Sequence, residues 1–248
     1  LDACLTIMRP RRSLAALSAA LSAALSVVMA APASAQTRTP FQAKCEDTIG
    51  ETISVLSSRS DGYRIDNTRS YFDLTRLKGS VRRGSWVLGL THTEARVSIK
   101  VGGRMLTDGT SGYECVAPRI DVNLYYAPIV IYVSREFPPG SCSYREVLAH
   151  EMRHLQTYQD FLPKAEAVVR DRLAARFAGK PLYAPIGQAR PLLQREVDRS
   201  WMPYIKREME KVEVLQAAID TPQEYARLGK VCAGEVQSLL RQASRSSS

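Results

Sequence analysis

Apolar and polar positions change period part-way along the chain. In residues 86–101 (WVLGLTHTEARVSIKV) they alternate: Val87, Thr91, Ala95, Val97, Ile99 and Val101 fall mostly on one face, and Leu88, Leu90, His92, Glu94, Arg96, Ser98 and Lys100 on the other. Successive side chains leave a pleated backbone on opposite sides, so period two predicts a half-buried strand. Residues 119–126 (RIDVNLYY) and 129–135 (IVIYVSR), rich in β-branched and aromatic side chains, predict two more strands on either side of Ala127-Pro128. Gly102-Gly103 and Asp108-Gly109 read as turns, and Pro138-Pro139-Gly140 ends the sheet. Upstream, residues 36–44 read as a short arm, and 45–56 fits a helix or a strand equally well.

After residue 143 the period becomes helical. Ser143 with Glu146 fits an S-x-x-E capping box and predicts a helix to about Leu162. Pro163 cannot continue that helix but suits the first turn of a second one over 163–178, which Gly179-Lys180-Pro181 ends. A longer helix over 190–218 is expected to kink at Pro203. Thr221-Pro222-Gln223-Glu224 forms another capping box, opening a last helix that runs to about Gln242. Strands followed by helices is the α+β pattern. The expectation is a twisted, mostly antiparallel sheet, then a helix beneath it, then a C-terminal helical bundle.

Composition narrows this. The 248 residues are 45% hydrophobic and 24% charged, which excludes a wholly disordered or collagen-like chain and suits one domain with an appendage. The one long apolar stretch, 14–31, follows Arg9, Arg11 and Arg12 and precedes Ala33-Ser34-Ala35. That order reads as an export signal cleaved before Gln36, with residues 1–7 as an untranslated lead. The expected divisions are 1–35 for lead and signal, 36–180 for the main domain, 181–243 for a helical extension and 244–248 for a disordered tail. An exported chain, periplasmic or secreted, would keep no stable membrane anchor. Four cysteines then remain, Cys45, Cys115, Cys142 and Cys232, which suggests two disulfides with three connectivities open. The formal charge of +9 is spread among acidic residues, with no Lys/Arg run of five and no aromatic–basic interleaving. A dedicated nucleic-acid interface is therefore not expected.

The chemistry concentrates at His150-Glu151-Met152-Arg153-His154, an H-E-x-x-H. On a helix, residues four apart lie one turn apart on one face, so both imidazoles can reach one metal ion. Glu151 is rotated about 100° from His150 and can face a water beside the metal without ligating it, in the position of a general base. Neither a G-x-S-x-G elbow nor a P-loop is present, so serine-hydrolase and nucleotide chemistry have no support.

At these residues the chain resembles the zincin metallopeptidases, which place H-E-x-x-H on an active-site helix beneath a twisted sheet. The resemblance covers the five motif residues and, loosely, the strand-then-helix order of 86–162. It implies a catalytic Zn²⁺ held by His150 and His154, Glu151 as base, and a peptide or protein substrate. A third protein ligand is needed. The metzincin position falls on Asp160, which an unbroken helix would turn away from His154. The gluzincin pattern takes a Glu from the following helix, and Glu166 falls within the apolar stripe Ala165, Val169, Leu173 and Phe177. Only eleven residues separate it from His154, short for that pattern. Asp171 suits the length of a helix pair better but faces the opposite side. Glu166 is the expected ligand, with Asp160 and Asp171 as alternatives. His92 and Tyr158 are candidates to line the cleft or steady an oxyanion.

The expected function is thus an exported zinc peptidase. Its rival is a non-catalytic envelope or secreted binding protein with a structural zinc site, distinguished by whether the fourth metal position is open or closed.

Overall fold

The computed structural model describes residues 38–49, 53–79, 85–177, 179 and 181–246. The expected signal segment lies outside the described residues. Among them, no helix is long and apolar enough to cross a membrane.

Three pairs of consecutive strands supply most of two sheets. β1 (Ile53–Ser60) and β2 (Tyr63–Asp66), β3 (Gly89–His92) and β4 (Ala95–Asp108), and β5 (Tyr113–Tyr126) and β6 (Ile129–Val133) each run from one sheet into the other. One sheet has the order β1-β5-β4, with β7 (Leu182–Pro185) also pairing with β5; the other is β2-β6-β3. Ladders β1–β5 and β2–β6 are parallel, whereas β4–β5, β3–β6 and β5–β7 are antiparallel. The α+β class stands; the sheets are mixed rather than mostly antiparallel.

The breaks between the sheets line up at Asp61-Gly62, Thr93-Glu94 and Ala127-Pro128. Pro128 has no N–H and interrupts the ladder. Hydrogen bonds bridge the break all the same: Ala127 N donates to Glu94 O (2.9 Å), Ile129 N to Gly62 O (3.2 Å) and Thr93 Oγ1 to Ala127 O (2.6 Å). The alternation of 86–101 therefore reads as one strand although it serves two sheets. Gly102-Gly103 is not a turn but lies inside β4. At Gly103 φ is 132°, and a Cβ there would stand 2.0 Å from Ala117 O, so glycine lets β4 approach β5. Of residues 45–56, 45–49 end helix α1 (Pro40–Ile49) and 53–56 begin β1, and α1 takes in 40–44 of the expected arm.

Helix α2 (Tyr71–Lys78) opens with a capping box at Ser70 and Asp73 and packs against β3. Helix α3 (Cys142–Phe177) is one 36-residue helix, not two. Its cap is Ser141, whose Oγ accepts from Tyr144 N at 3.1 Å; Ser143 is buried and instead donates to Glu235 Oε2 at 2.5 Å. Pro163 sits inside α3 at a cost of about 3 kcal/mol. Burial of Leu162, Val169, Leu173 and Phe177 around it, about 1.5–3 kcal/mol each, outweighs that cost. These side chains join Ile120, Val122 and Leu124 of β5 in the main core.

Of the two remaining expected helices, the first runs its expected length with an irregularity near Pro203, and the second is divided. The expected 190–218 helix is α4 (Ala189–Glu196), a π-turn (Val197–Trp201), α5 (Met202–Glu210) and α6 (Val212–Ala217). The widened turn falls just before Pro203, which cannot donate to the carbonyl four residues back. The last helix divides into α7 (Pro222–Lys230) and α8 (Glu235–Ser246), which extends past the expected start of the tail. They are separated at Cys232, Ala233 and Gly234, with φ of 55°, 54° and 77°. Three successive left-handed residues cannot continue a right-handed helix. Disulfides join Cys45 to Cys115 and Cys142 to Cys232. The second ties the start of α3 to the α7–α8 junction.

Candidate metal centre

Along its first half, α3 turns polar residues inward: His150, Glu151 and His154 are buried at 4%, 5% and 8% exposure. Buried polar side chains need partners, and these come from a segment more than sixty residues downstream. His150 Nε2 and His154 Nε2 lie 3.3 Å apart. Asp220, between α6 and α7, places Oδ1 at 3.1 Å from the first and 3.3 Å from the second. Around a tetrahedral ion with ligand bonds of about 2.0–2.1 Å, neighbouring donors are about 3.3 Å apart. The triangle matches one face of that tetrahedron. Three acceptor-capable atoms converging on one point also call for a cation or shared protons between them. His150, His154 and Asp220 can therefore hold a metal ion.

The outer nitrogens are held from the same segment. Gln216 Nε2 donates to His154 O (3.1 Å), which leaves Gln216 Oε1 to accept from His154 Nδ1–H at 2.6 Å. That fixes the tautomer with a free Nε2, the arrangement a ligating imidazole needs. His150 Nδ1 lies 3.3 Å from Glu224 Oε1 and 2.8 Å from Arg153 Nη2. A guanidinium only donates, so a ligating His150 requires its Nδ1 proton on Glu224 and Arg153 drawn back onto that same carboxylate, with which it already pairs. Hydrogen bonds from Arg227, with the charge of Arg153, hold Glu224 down to about 2.

Glu151 stands beside the triangle. Thr91 Oγ1 lies 2.9 Å from its Oε2 and 3.0 Å from its backbone carbonyl, with one proton to give. A Cβ at Gly89 would stand 2.5 Å from Glu151 Oε1 and 2.7 Å from Val147 Cγ1, so only glycine lets β3 and α3 meet here. Burial pushes the Glu151 carboxyl above the ordinary carboxylate value, against the pull of His154 and His150. For His154, burial pulls the other way, but Asp220 and Glu151 outweigh it and raise the imidazole. Burial also opposes ionisation of Asp220, and the two imidazoles overcome it, holding that carboxylate well below its usual range. Tyr225 hydrogen-bonds Asp220, and burial and that charge raise its phenol.

The site opens on a cleft of about 960 Å³ between β3, α3 and the C-terminal helices. Tyr158 lines it, with its ring against Tyr126 and its hydroxyl on Glu213. The other sequence candidates lie elsewhere. Because α3 is continuous, Glu166 is twelve residues beyond His154, about 18 Å along the axis. There it pairs with Arg170 and accepts from Ser58. Asp160 accepts from Gln156 on the exposed side of α3, and Asp171 is exposed. His92 is exposed at the end of β3, one position beyond Thr91, which takes the inward place.

Asp220, Gln216, Glu224 and Tyr225 were missed. A signal existed: Gln216, Asp220 and Glu224 recur every four residues. Glu224 also fitted a capping box. Thr221 does cap α7, accepting from Glu224 N at 3.1 Å, but the Glu224 side chain turns to Arg153, Arg227 and His150. No family model, curated protein or solved structure matches this chain.

Proposed function

We propose that the protein is a zinc-dependent peptidase, with His150, His154 and Asp220 as ligands and Glu151 as general base. The observation that carries this reading is the conjunction of three converging donors with a buried, incompletely hydrogen-bonded carboxylate at the edge of an open cleft. Two imidazoles and one carboxylate suit Zn²⁺. Such an ion supplies a Lewis acid that acidifies water and polarises a carbonyl.

The chain's own residues do the rest. Thr91 occupies Glu151 Oε2, leaving Oε1 to receive a proton from the attacking water and pass it to the leaving amine. Its raised pKa brings the carboxylate nearer neutrality, where such a shuttle works best. Gln216 and Glu224 orient the imidazoles. Tyr225 donates its hydroxyl to Asp220 and so holds the third ligand at the edge of the cleft. The open cleft favours this reading over a structural staple, whose fourth position would be filled by the protein.

The test is hydrolysis of fluorescently quenched casein by zinc-loaded wild type beside Glu151→Gln. Cleavage by wild type that falls at least about 100-fold in the variant, with zinc retained, is expected. Equal cleavage by both proteins would remove Glu151 from the chemistry.

A further inference from the structure

The cleft is not uniform along its length. Its order follows α3. Val147, one turn before Glu151, packs with Leu88, Val236 and Leu240, so the α8 end is aliphatic, and Leu228 of α7 adds to the same wall. At the other end, beyond His154, Tyr158 is bonded to Glu213, which also lines the cleft.

Charge follows the same axis. Among the described residues two cations line the cleft, Lys78 at the end of α2 and Arg241 on α8. Both are exposed, and neither makes an ion pair among the described residues. The basic residues nearer the metal centre differ: Arg153 and Arg227 are committed to Glu224 and Glu146. Arg241 follows Leu240 of the aliphatic wall, and Thr75 of α2 accepts from Val87 N beside Leu88, which puts Lys78 toward the same end; past Glu151 the cleft ends on a carboxylate at Glu213. A bound peptide meets attraction for negative charge at the first end and repulsion at the other.

Resting on the peptidase reading, we propose that this cleft selects peptides carrying a bulky aliphatic residue followed or preceded within a few positions by a carboxylate, seated toward Lys78 and Arg241. The carboxylate can be an Asp or Glu side chain or the peptide's own C-terminus; both offer the same anion to the same pair of cations.

The experiment uses the full chain, zinc-loaded, and a degenerate octapeptide library made both as free acids and as C-terminal amides. Glu151→Gln protein is used to retain binders, so that the cleft is read whether or not turnover occurs, and wild type is used to map cleaved bonds by mass spectrometry. Retained peptides should be enriched in Leu, Ile or Val near an acidic group, and the enrichment should weaken with added salt. In Lys78→Glu/Arg241→Glu protein the preference for acid should reverse by about tenfold, with zinc content unchanged. Enrichment confined to free-acid peptides identifies the terminus as the anion; enrichment in both forms identifies the side chain. Retention without acidic preference, or the same preference in the double variant, overturns the inference. Acidic preference without any cleavage by wild type leaves the inference standing and overturns the peptidase reading instead.

Discussion

Glu114 and Glu151 are both buried carboxylates, 2% and 5% exposed, and their surroundings treat them in opposite ways. Glu114 reaches from β5 to the start of α4, where backbone N–H groups of Gly187, Ala189 and Gln188 bond it and hold its pKa below the ordinary value. Ala189 N donates to Oε1 at 2.7 Å. Gln188, the residue before α4, makes no side-chain cap, so Glu114 supplies one from another element. Glu151 has one hydroxyl and two neighbouring imidazoles, and burial drives its pKa up. Burial alone does not mark a working carboxylate. What separates the two is how completely the charged form is satisfied: Glu114 stabilises the fold, and Glu151 is the carboxylate to which the proposed function gives a proton-transfer role.

The largest effect that sharpens this contrast is on Glu151. Glu151→Gln should lower turnover by about 10²–10⁴. Its stability in denaturant should stay level or rise by up to about 1 kcal/mol, because a buried carboxylate with a raised pKa is a burden to the ion-free fold. A destabilised variant would place Glu151 with Glu114 as a structural group. Next comes Gln216→Ala, which frees the outer nitrogen of His154 and should weaken zinc binding about 10–100-fold in competition with a chelator. Unchanged affinity would mean that the tautomer is fixed elsewhere.

Glu114→Ala should leave zinc affinity alone and destabilise the protein by about 1–3 kcal/mol, the cost of unpaired buried N–H groups. The pH dependence follows from the sign of the shift. A carboxylate with a depressed folded-state pKa contributes fully above its ordinary value of 4.5, and that contribution is lost as pH falls through the depressed one. Acid unfolding curves of wild type and Glu114→Gln should therefore converge below about pH 4.5; parallel curves would contradict the assignment. The smallest effect is expected at Glu166. It pairs with a half-exposed Arg170, so Glu166→Ala should cost at most about 1 kcal/mol and no zinc.

These residues also show what could be read before folding. His150, Glu151 and His154 were legible because helical spacing alone puts them on one side of α3. The apolar stripe of Ala165, Val169, Leu173 and Phe177 was legible for the same reason, and all four are buried in the core. Glu166 misled because Pro163 suggested a helix break, and a break would have folded Glu166 back toward the histidines. Core burial on both sides of Pro163 keeps the helix continuous through it, which carries Glu166 away. Asp220 could not be deduced from spacing, since it meets His154 across 66 residues, by the docking of α6 and α7 on α3. The Cys142–Cys232 bridge reinforces that docking, and four cysteines left its pairing open. In the sheets, alternation reported strands faithfully but could not report that Thr93-Glu94 passes from one sheet to the other, because hydrogen bonding continues across that break.

On this reading α3 and the C-terminal segment hold one metal ion between them, with Asp220 as the third ligand. Its most direct test is elemental analysis of dialysed wild-type, Asp220→Ala and Glu166→Ala proteins, each refolded with zinc and with both disulfides closed. The account predicts one zinc per chain in wild type and in Glu166→Ala, and an affinity lowered more than about 100-fold in Asp220→Ala. Zinc kept by Asp220→Ala and lost from Glu166→Ala, or no zinc in any of the three, would contradict it.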